Sequence, residues 1–166
     1  MPQGFISIGS NIEREHNIAS SLKVIAQNFG KLTSSSIYES AAVGFEGDAF
    51  YNLVVGFHSE LDAKDVAKIL RQIELDHGRT RECRKFSART LDLDLILYGD
   101  LILNEAGLQI PRQEIEHYAF VLEPLAEIVP DLKHPLLHTS YATMWQQFDK
   151  SDTRQKPITF DPTPAT

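Results

Sequence analysis

The stretch RTLDLDLILYGD, residues 89–100, alternates between apolar and polar positions with the period of a β-strand. Its four leucines are expected to face a hydrophobic core, whereas Asp92 and Asp94 are expected to share the opposite face. Side chains two residues apart on a strand have Cβ atoms roughly 6 to 7 Å apart, so the two carboxylates point toward a common site. The core-facing residues of this prediction are Leu91, Leu93, Leu95 and Leu97.

Two carboxylates this close repel each other unless a cation lies between them. Ligand sets that consist only of oxygen favour a hard ion such as Mg²⁺. An isolated carboxylate pair is also common on the solvated face of an ordinary strand. Here Ile96 and Tyr98 are expected to continue the same face, and Asp is a poor strand former, which favours metal binding by Asp92 and Asp94.

A basic segment lies just upstream of the carboxylates and contains five of the sixteen Lys and Arg residues of the chain. Arginine forks neutralise phosphate oxygens while carboxylates hold a metal, so the two features together indicate a site for a Mg²⁺-bound polyphosphate. The alternative is a solubilising surface loop, which is more typical of Lys-rich segments. The five cations are Arg79, Arg81, Arg84, Lys85 and Arg89.

The composition limits the class of protein. The 166 residues are 42% hydrophobic, which favours one globular domain at 1–148 followed by a disordered tail at 149–166. The net charge of −7 argues against general nucleic-acid binding. There is no long apolar run and no signal-type N-terminus, and the lone cysteine, Cys83, fits a reducing compartment. We expect a cytoplasmic monomer whose partners are small molecules, with no membrane and no nucleic acid.

The periodicity of the first hundred residues predicts alternating strands and helices in the order βαββαβ. This order is typical of a ferredoxin-like α+β fold, in which an antiparallel sheet packs on two helices. The predicted elements are a strand at 4–9, a helix at 13–29 ended by Gly30, strands at 31–40 and 50–57, a helix from Asp62 to before Gly78, and the strand at 89–100.

The remainder of the chain predicts additional C-terminal helical segments. A small edge strand is expected at 101–103, helical segments broken at Pro124 are expected at 112–128, and a terminal helix is expected at 140–148. These segments add to the ferredoxin-like core rather than replace it.

The segment GRTRECRKFSARTLDLDLILYGD, residues 78–100, resembles the signature of the 6-hydroxymethyl-7,8-dihydropterin pyrophosphokinase family. The resemblance extends to ISIGSN at 6–11, FYNLVV at 50–55 and FVLEPLAEIVPDLKHP at 120–135. It implies a ferredoxin-like fold and an enzyme of folate biosynthesis. Such an enzyme transfers the β,γ-pyrophosphoryl unit of ATP to the hydroxymethyl group of the pterin and releases AMP.

The resemblance also implies roles for individual residues. Asp92 and Asp94 would bind Mg²⁺ ions, expected to be two, that bridge the ATP phosphates. Arg79 and Arg89 match the two arginines that stabilise the transferring group. The further residues that the resemblance places near the nucleotide are Glu74, Arg81 and Lys85.

For the pterin, the family uses an amide and an aromatic sandwich. Asn52 fits the amide role, because a carboxamide presents both a donor and an acceptor to the edge of the pterin. Asn in a strongly apolar strand requires polar partners in any case. Phe86 and Phe120 match the aromatic positions, and Phe50 is a weaker candidate; without the resemblance, each Phe would be assigned to the core.

Some positions depart from the family pattern. Arg112 stands where a His is usual and is expected to offer a phosphate contact with a permanent charge. Tyr118 stands where an Arg is usual, and Ala41 and Ala42 replace two prolines. Glu74, taken without the resemblance, fits a solvated helical carboxylate.

Two other functions compete with pyrophosphoryl transfer. One is a different two-metal nucleotidyl or phosphoryl transferase, since palm-type enzymes also place two carboxylates on a ferredoxin-like sheet. The other is a paralogue that binds nucleotide or pterin without turnover or acts on another substrate. Release of AMP, release of pyrophosphate, or tight ATP binding without turnover would separate the three.

Overall fold

The computed structural model of the protein describes residues 1–40, 49–78, 91–105, 107–151 and 155–158. Within these ranges, no helix is both long and apolar enough to cross a membrane. The described chain forms an antiparallel sheet with helices on both faces, which confirms the expected mixture of helices with an antiparallel sheet.

The strands pair antiparallel throughout the main sheet. The strands of the described chain are β1 (Gln3–Ser10), β2 (Thr33–Ser34), β3 (Ile37–Ser40), β4 (Phe50–His58), β5 (Asp92–Tyr98), β6 (Leu103–Glu105), β7 (Leu108–Ile110) and β8 (Lys156–Ile158). The main sheet runs in the order β5-β1-β4-β3-β8, with β2 also paired to β4, and β6 and β7 form a separate hairpin.

The helices lie in two layers, one on each face of the sheet. The first two helices share a core with one sheet face, and the last three share a core with the other. The helices are α1 (Arg14–Phe29), α2 (Ala63–Asp76), α3 (Glu114–His117), α4 (Ala119–Ile128) and α5 (Tyr141–Gln147).

The first core forms where the sequence periodicity predicts it. The apolar stripes of α1 and α2 are buried against the leucine face of β5 and the matching faces of β1 and β4. Full burial of one such aliphatic side chain contributes about 1.5–3 kcal/mol, so this face fixes the position of β5. The residues involved include Ile18, Ile25, Val66, Leu70, Ile73, Leu91, Leu93 and Leu95.

A bulge at Ile96 interrupts the alternation of β5. Leu95 and Leu97 pair with adjacent residues of β1, so Ile96 is an extra residue in the ladder. The prediction that Leu97 shares the leucine face is therefore wrong, because the bulge moves Leu97 to the opposite core. Tyr98 moves the other way, into the core under α1 and α2, and does not continue the carboxylate face.

The predicted strand at 31–40 is divided into β2 and β3. Ser35 lies between them, and its hydroxyl accepts a hydrogen bond from the backbone N–H of Val54 at 3.0 Å. A serine hydroxyl that satisfies a neighbouring backbone group competes with regular strand pairing. The division follows from this local competition, which apolar periodicity does not register.

The helical break expected at Pro124 occurs instead at Tyr118. Tyr118 is extended, with φ −125° and ψ 123°, and α4 continues through Pro124. A proline inside a helix costs about 3 kcal/mol. The buried residues Val121 and Leu125 offset this cost, because they anchor α4 in the second core.

Two expectations for the chain after β5 need correction. The small strand expected at 101–103 begins instead at Leu103 and forms the hairpin of β6 and β7. The disorder expected for the tail does not hold at Lys156–Ile158, which pair with β3. An edge strand offers unpaired backbone groups, and Pro157 is tolerated in a strand at a sheet edge.

Candidate active site

Asp92 and Asp94 lie on the same face of β5, as predicted, and both are half-buried. The register pairs Asp92 with Gly9 and Asp94 with Ser7 of β1. Gly9 has no side chain, and Ser7 has a small one, so the neighbouring strand leaves room beside both carboxylates. By strand alternation the pair lies on the face of Ile96, which packs in the core of α3, α4 and α5.

The outer edge of β5 is covered by a side chain. The backbone N–H of Leu93 donates to Oε2 of Glu74 at 2.8 Å, and Glu74 is only 8% exposed. β5 has no strand partner on this side in the part of the chain that the structure describes. The interpretation of Glu74 as a solvated carboxylate is wrong, because its side chain folds back from α2 to satisfy an edge N–H.

Arg112 lies beside the same strand. Its backbone N–H donates to the carbonyl of Ile96 at 3.0 Å. Its Nε and Nη2 donate to the two oxygens of Glu114 at 3.0 and 2.8 Å, a bidentate pair that fixes the plane of the guanidinium. Both side chains are about one-quarter exposed.

The positive charge of Arg112 interacts with the carboxylates of Asp92 and Asp94. The pKa of the Arg112 guanidinium is raised above its usual value by its hydrogen bonds to Glu114, and the charges of Asp94 and Asp92 act in the same direction. Burial opposes this shift without reversing it. Arg112 thus stays cationic next to Asp92 and Asp94.

A cavity of about 410 Å³ opens between α2, β5 and the β6–β7 hairpin. Its size falls in the range of small-molecule sites. It brings together one carboxylate of the predicted pair and both of the described side chains that were assigned to the nucleotide. The polar residues lining it are Arg71, Glu74, Asp94 and Arg112.

Asn52 lies in the same row of the sheet as Asp92. Gly9 pairs with both, so the three residues span adjacent strands, and Asn52 is about 10 Å from Asp92. Asn52 is 5% exposed, and its Nδ2 donates to Oγ of Ser40 at 2.8 Å. The prediction that a buried amide here needs a polar partner is confirmed.

Gly9 is needed beside Asn52. A Cβ added at Gly9 would lie 2.8 Å from Oδ1 of Asn52, closer than real Cβ contacts occur. Gly9 was quoted in the N-terminal motif but was not assigned to the site. A glycine inside a predicted strand often marks the close approach of another group, and this signal could have assigned Gly9 to the site.

The two described phenylalanines of the prediction lie on this side of the sheet. Phe120, in the first turn of α4, is half-buried and stacks on Tyr118 with ring centroids 5.0 Å apart and an interplanar angle of 24°. Phe50 begins β4 and shares the face of Asn52, two residues away. An aromatic pair and an amide therefore lie on the same side of the sheet.

Several predicted site residues lie outside the described residues. The sequence alone assigns them to the site. They are Arg79, Arg81, Arg84, Lys85, Phe86 and Arg89. Cys83, Ala41 and Ala42, which were not assigned to the site, also lie outside the described residues.

Asp92 and Asp94 suit a metal ion whose other ligands are waters or substrate oxygens. Among residues 1–40, 49–78, 91–105, 107–151 and 155–158, no group of three or more His, Cys, Asp or Glu side chains is arranged to enclose a metal. Mg²⁺ is usually held by one or two carboxylates, with waters and substrate phosphates as its other ligands. The pair Asp92 and Asp94, on one face beside a cation, fits this kind of site better than a closed structural one.

Comparison with known proteins agrees with the architecture and the motifs. The family model for 7,8-dihydro-6-hydroxymethylpterin-pyrophosphokinase matches residues 5–130. This match includes both carboxylates, Asn52, Arg112 and Phe120. The chain therefore belongs to the 7,8-dihydro-6-hydroxymethylpterin-pyrophosphokinase family, and the family and enzyme class predicted from the sequence are confirmed.

Curated relatives that match most of the chain are named as pyrophosphokinases or as folic acid synthesis proteins. A 2-amino-4-hydroxy-6-hydroxymethyldihydropteridine pyrophosphokinase of Haemophilus influenzae is 36% identical over 139 residues, which are 81% of this chain and 86% of that protein. One of Bacillus subtilis is 36% identical over 128 residues, 75% of this chain and 76% of that protein. The folic acid synthesis protein FOL1 of Dictyostelium discoideum is 35% identical over 81% of this chain, which spans only 20% of that protein.

Solved structures share the fold. A crystal structure of Plasmodium falciparum HPPK-DHPS A437G with STZ-DHP superimposes with a TM-score of 0.71 at 13% identity. The match covers 88% of this chain and 45% of the Plasmodium chain. The chain thus corresponds to less than half of that protein.

Proposed function

We propose that the protein transfers the pyrophosphoryl unit of ATP to 6-hydroxymethyl-7,8-dihydropterin, giving the pterin diphosphate and AMP. The observation that carries this proposal is the row across the sheet from Asp92 through Gly9 to Asn52, with Arg112 beside the carboxylates. One end of the row suits a metal-bound phosphate, and the other end suits a flat heterocycle with polar edges. The family membership supports the same reaction.

The described residues suggest how the two substrates are held. The hydroxymethyl oxygen loses its proton to water and forms a bond to the β-phosphorus, and the bond between the β-phosphorus and the α,β-bridging oxygen breaks, so that AMP leaves. Arg112 would bind phosphate oxygens through its charge, and its bidentate pair with Glu114 supports this role because it keeps the guanidinium in one orientation. Asn52 offers a donor and an acceptor to the pterin, and Phe120 offers an aromatic face.

Asp92 and Asp94 would hold Mg²⁺, expected as two ions. When bound, these ions neutralise the phosphate charge and polarise the transferring group. The support is the shared face of the two carboxylates and the absence of bulky side chains beside them at Ser7 and Gly9.

The residues outside the described ranges keep the roles that the family resemblance implies. Arg79 and Arg89 would stabilise the transferring group, and Phe86 would close over the pterin. The remaining nucleotide contacts of this proposal are Arg81 and Lys85.

We further propose that the core is ferredoxin-like. The element order and the strand order β5-β1-β4-β3 are those of a βαββαβ sheet with all neighbours antiparallel, which supports this assignment. A single pyrophosphokinase domain at 1–148 and a monomeric, cytoplasmic protein remain predictions from the sequence.

Product identity tests the proposal. The protein is incubated with ATP, Mg²⁺ and 6-hydroxymethyl-7,8-dihydropterin, and the products are separated by anion-exchange chromatography. AMP and the pterin diphosphate in equal amounts are expected. Release of pyrophosphate would indicate a nucleotidyl transferase, and tight ATP binding without AMP would indicate a non-catalytic binding protein; either result contradicts the proposal.

A further inference from the structure

The tail segment 155–158 lies beyond residues 5–130, which the family model matches. Its strand β8 pairs with β3, with Ile158 opposite Ile37, Pro157 opposite Tyr38 and Lys156 opposite Glu39. This register brings Gln155 to the level of Ser40. The segment therefore closes the sheet edge next to the residue that holds the amide of Asn52.

The side chain of Gln155 reaches from the sheet edge to the start of α4. Its Nε2 donates to the carbonyl of Ala119 at 2.9 Å and to Oε1 of Glu123 at 2.7 Å. Both partners lie in the first half of α4, and Ala119 directly precedes Phe120. Gln155 thus fastens the helix start that carries the aromatic side chain.

The same segment supports both sides of the proposed pterin site. On the sheet, β8 holds β3, whose Ser40 accepts the hydrogen bond from Asn52. On the helical layer, Gln155 holds the turn before Phe120. The amide and the aromatic ring belong to elements that are far apart in sequence, so their spacing depends on what connects them.

We propose that Gln155 is a positioning residue that sets the distance between Asn52 and Phe120 and so determines the affinity for the pterin. This inference rests on the proposed function, because it assumes that the flat substrate lies between these two side chains. Gln155 touches neither substrate. Replacing Gln155 is therefore expected to change the affinity for the pterin and not the affinity for the nucleotide, because the proposed nucleotide contacts lie at the opposite edge of the sheet.

The test compares variants of the full chain. Gln155→Ala removes both hydrogen bonds, and Gln155→Glu replaces the donor with a carboxylate that faces Glu123. Combining Gln155→Glu with Glu123→Gln restores a donor–acceptor pair between these positions. Lys150→Ala is the matched control, because the contacts that the structure describes for Lys150 are with the end of α5 and with Phe148, and its Nζ lies 4.6 Å from the indole centroid of Trp145.

Binding is measured by fluorescence titration of 6-hydroxymethylpterin with a non-hydrolysable ATP analogue and Mg²⁺ present. We expect Gln155→Ala to raise the Kd for the pterin about five- to tenfold, because the turn before Phe120 is then no longer held in place when the pterin binds. The Kd for the ATP analogue is expected to change less than twofold. Gln155→Glu is expected to bind the pterin more weakly still, and adding Glu123→Gln is expected to restore part of this affinity. Lys150→Ala is expected to keep the wild-type Kd for the pterin.

Two outcomes would overturn the inference: a pterin Kd of Gln155→Ala within twofold of wild type, or an equal loss for pterin and nucleotide. Wild-type protein that binds pterin but releases no AMP would contradict the proposed function, while the binding ratios would still decide the role of Gln155. Wild-type protein that binds no pterin would overturn both.

Discussion

The backbone groups at the two edges of the main sheet are satisfied in different ways. At one edge, β8 pairs with β3 and satisfies its backbone groups with another strand. At the other edge, β5 has no strand partner among the described residues, and the carboxylate of Glu74 accepts from the N–H of Leu93. The second edge therefore stays open to small molecules, and the charged residues and the cavity lie there.

This difference shows how one sheet serves two purposes. Backbone pairing closes an edge without leaving space, whereas a side chain can satisfy a single N–H and leave a cavity beside it. The buried leucines of β5 hold the open edge in place from the first core. The carboxylate face can then remain polar without loss of the strand.

Removing a carboxylate at the open edge should have the largest effect. Asp92→Ala or Asp94→Ala is expected to lower kcat by about 10³-fold or more, because the proposed metal loses a ligand. Asp100→Ala, an exposed residue just after β5, is the control and should keep wild-type activity. Substantial turnover in either strand variant, measured as AMP release, would contradict the role of the pair.

Weakening the pair between Arg112 and Glu114 should weaken nucleotide binding without changing the affinity for the pterin. Glu114→Gln keeps the shape of the partner and removes its charge, so the KM for ATP is expected to rise about tenfold. Arg112→Lys, which cannot form the fork, should raise it further. Glu116→Gln on the exposed side of α3 is the matched control, and steady-state kinetics with each substrate varied would show a KM for pterin unchanged in all three.

Glu74 should matter for stability through the edge N–H. Glu74→Ala leaves the N–H of Leu93 without its acceptor and is expected to lower the free energy of unfolding by about 1–3 kcal/mol. Glu74→Gln retains an acceptor oxygen and should lose less. Urea denaturation measures both, and equal free energies of unfolding for the two variants would show that the acceptor oxygen of Glu74 does not stabilise the N–H of Leu93.

A smaller effect is expected away from both edges, at His134. Its Nδ1 accepts from the backbone N–H groups of Leu136 and Leu137, and burial lowers the pKa of His134 below its ordinary value of 6.5, with His138 acting in the same direction and Glu116 opposing it. The unfolded chain then binds more protons than the folded one. Stability is present in full above about pH 6.5 and is lost as pH falls toward the folded-state pKa.

The pH dependence can be isolated by substitution. His134→Gln should remove this loss between pH 7 and pH 5, measured as the urea midpoint at each pH, whereas His58→Gln on the exposed end of β4 should leave it. An unchanged pH profile in His134→Gln would contradict the assignment. Neither edge of the sheet is involved, so pterin and nucleotide affinities should stay constant in both variants.

The periodicity of the sequence correctly predicted the main strands and helices and the shared face of the two carboxylates. β1, β4, α1 and α2 lie where alternation and helical spacing placed them, and Asp92 and Asp94 share a face as expected. These features follow from side-chain periods of 2.0 and 3.6 residues.

Features that depend on distant partners were not predicted. The bulge at Ile96 shows only in the pairing with β1, and the strand at 156–158 forms because β3 offers an open edge. Glu74 is buried because it meets Leu93 from another element, and Glu114 matters because it holds Arg112. In each case the role of the residue depends on a contact with a residue far away in sequence, and local sequence patterns do not predict such contacts.

We propose that the open edge beside Asp92 and Asp94 binds the metal and the transferred phosphates. The most direct measurement is the anomalous scattering of Mn²⁺, in place of Mg²⁺, in crystals with a non-hydrolysable ATP analogue and 6-hydroxymethylpterin. We predict Mn²⁺ peaks within about 2.5 Å of the carboxylate oxygens of Asp92 and Asp94. Bound nucleotide with its Mn²⁺ peaks away from both carboxylates would contradict metal binding by Asp92 and Asp94.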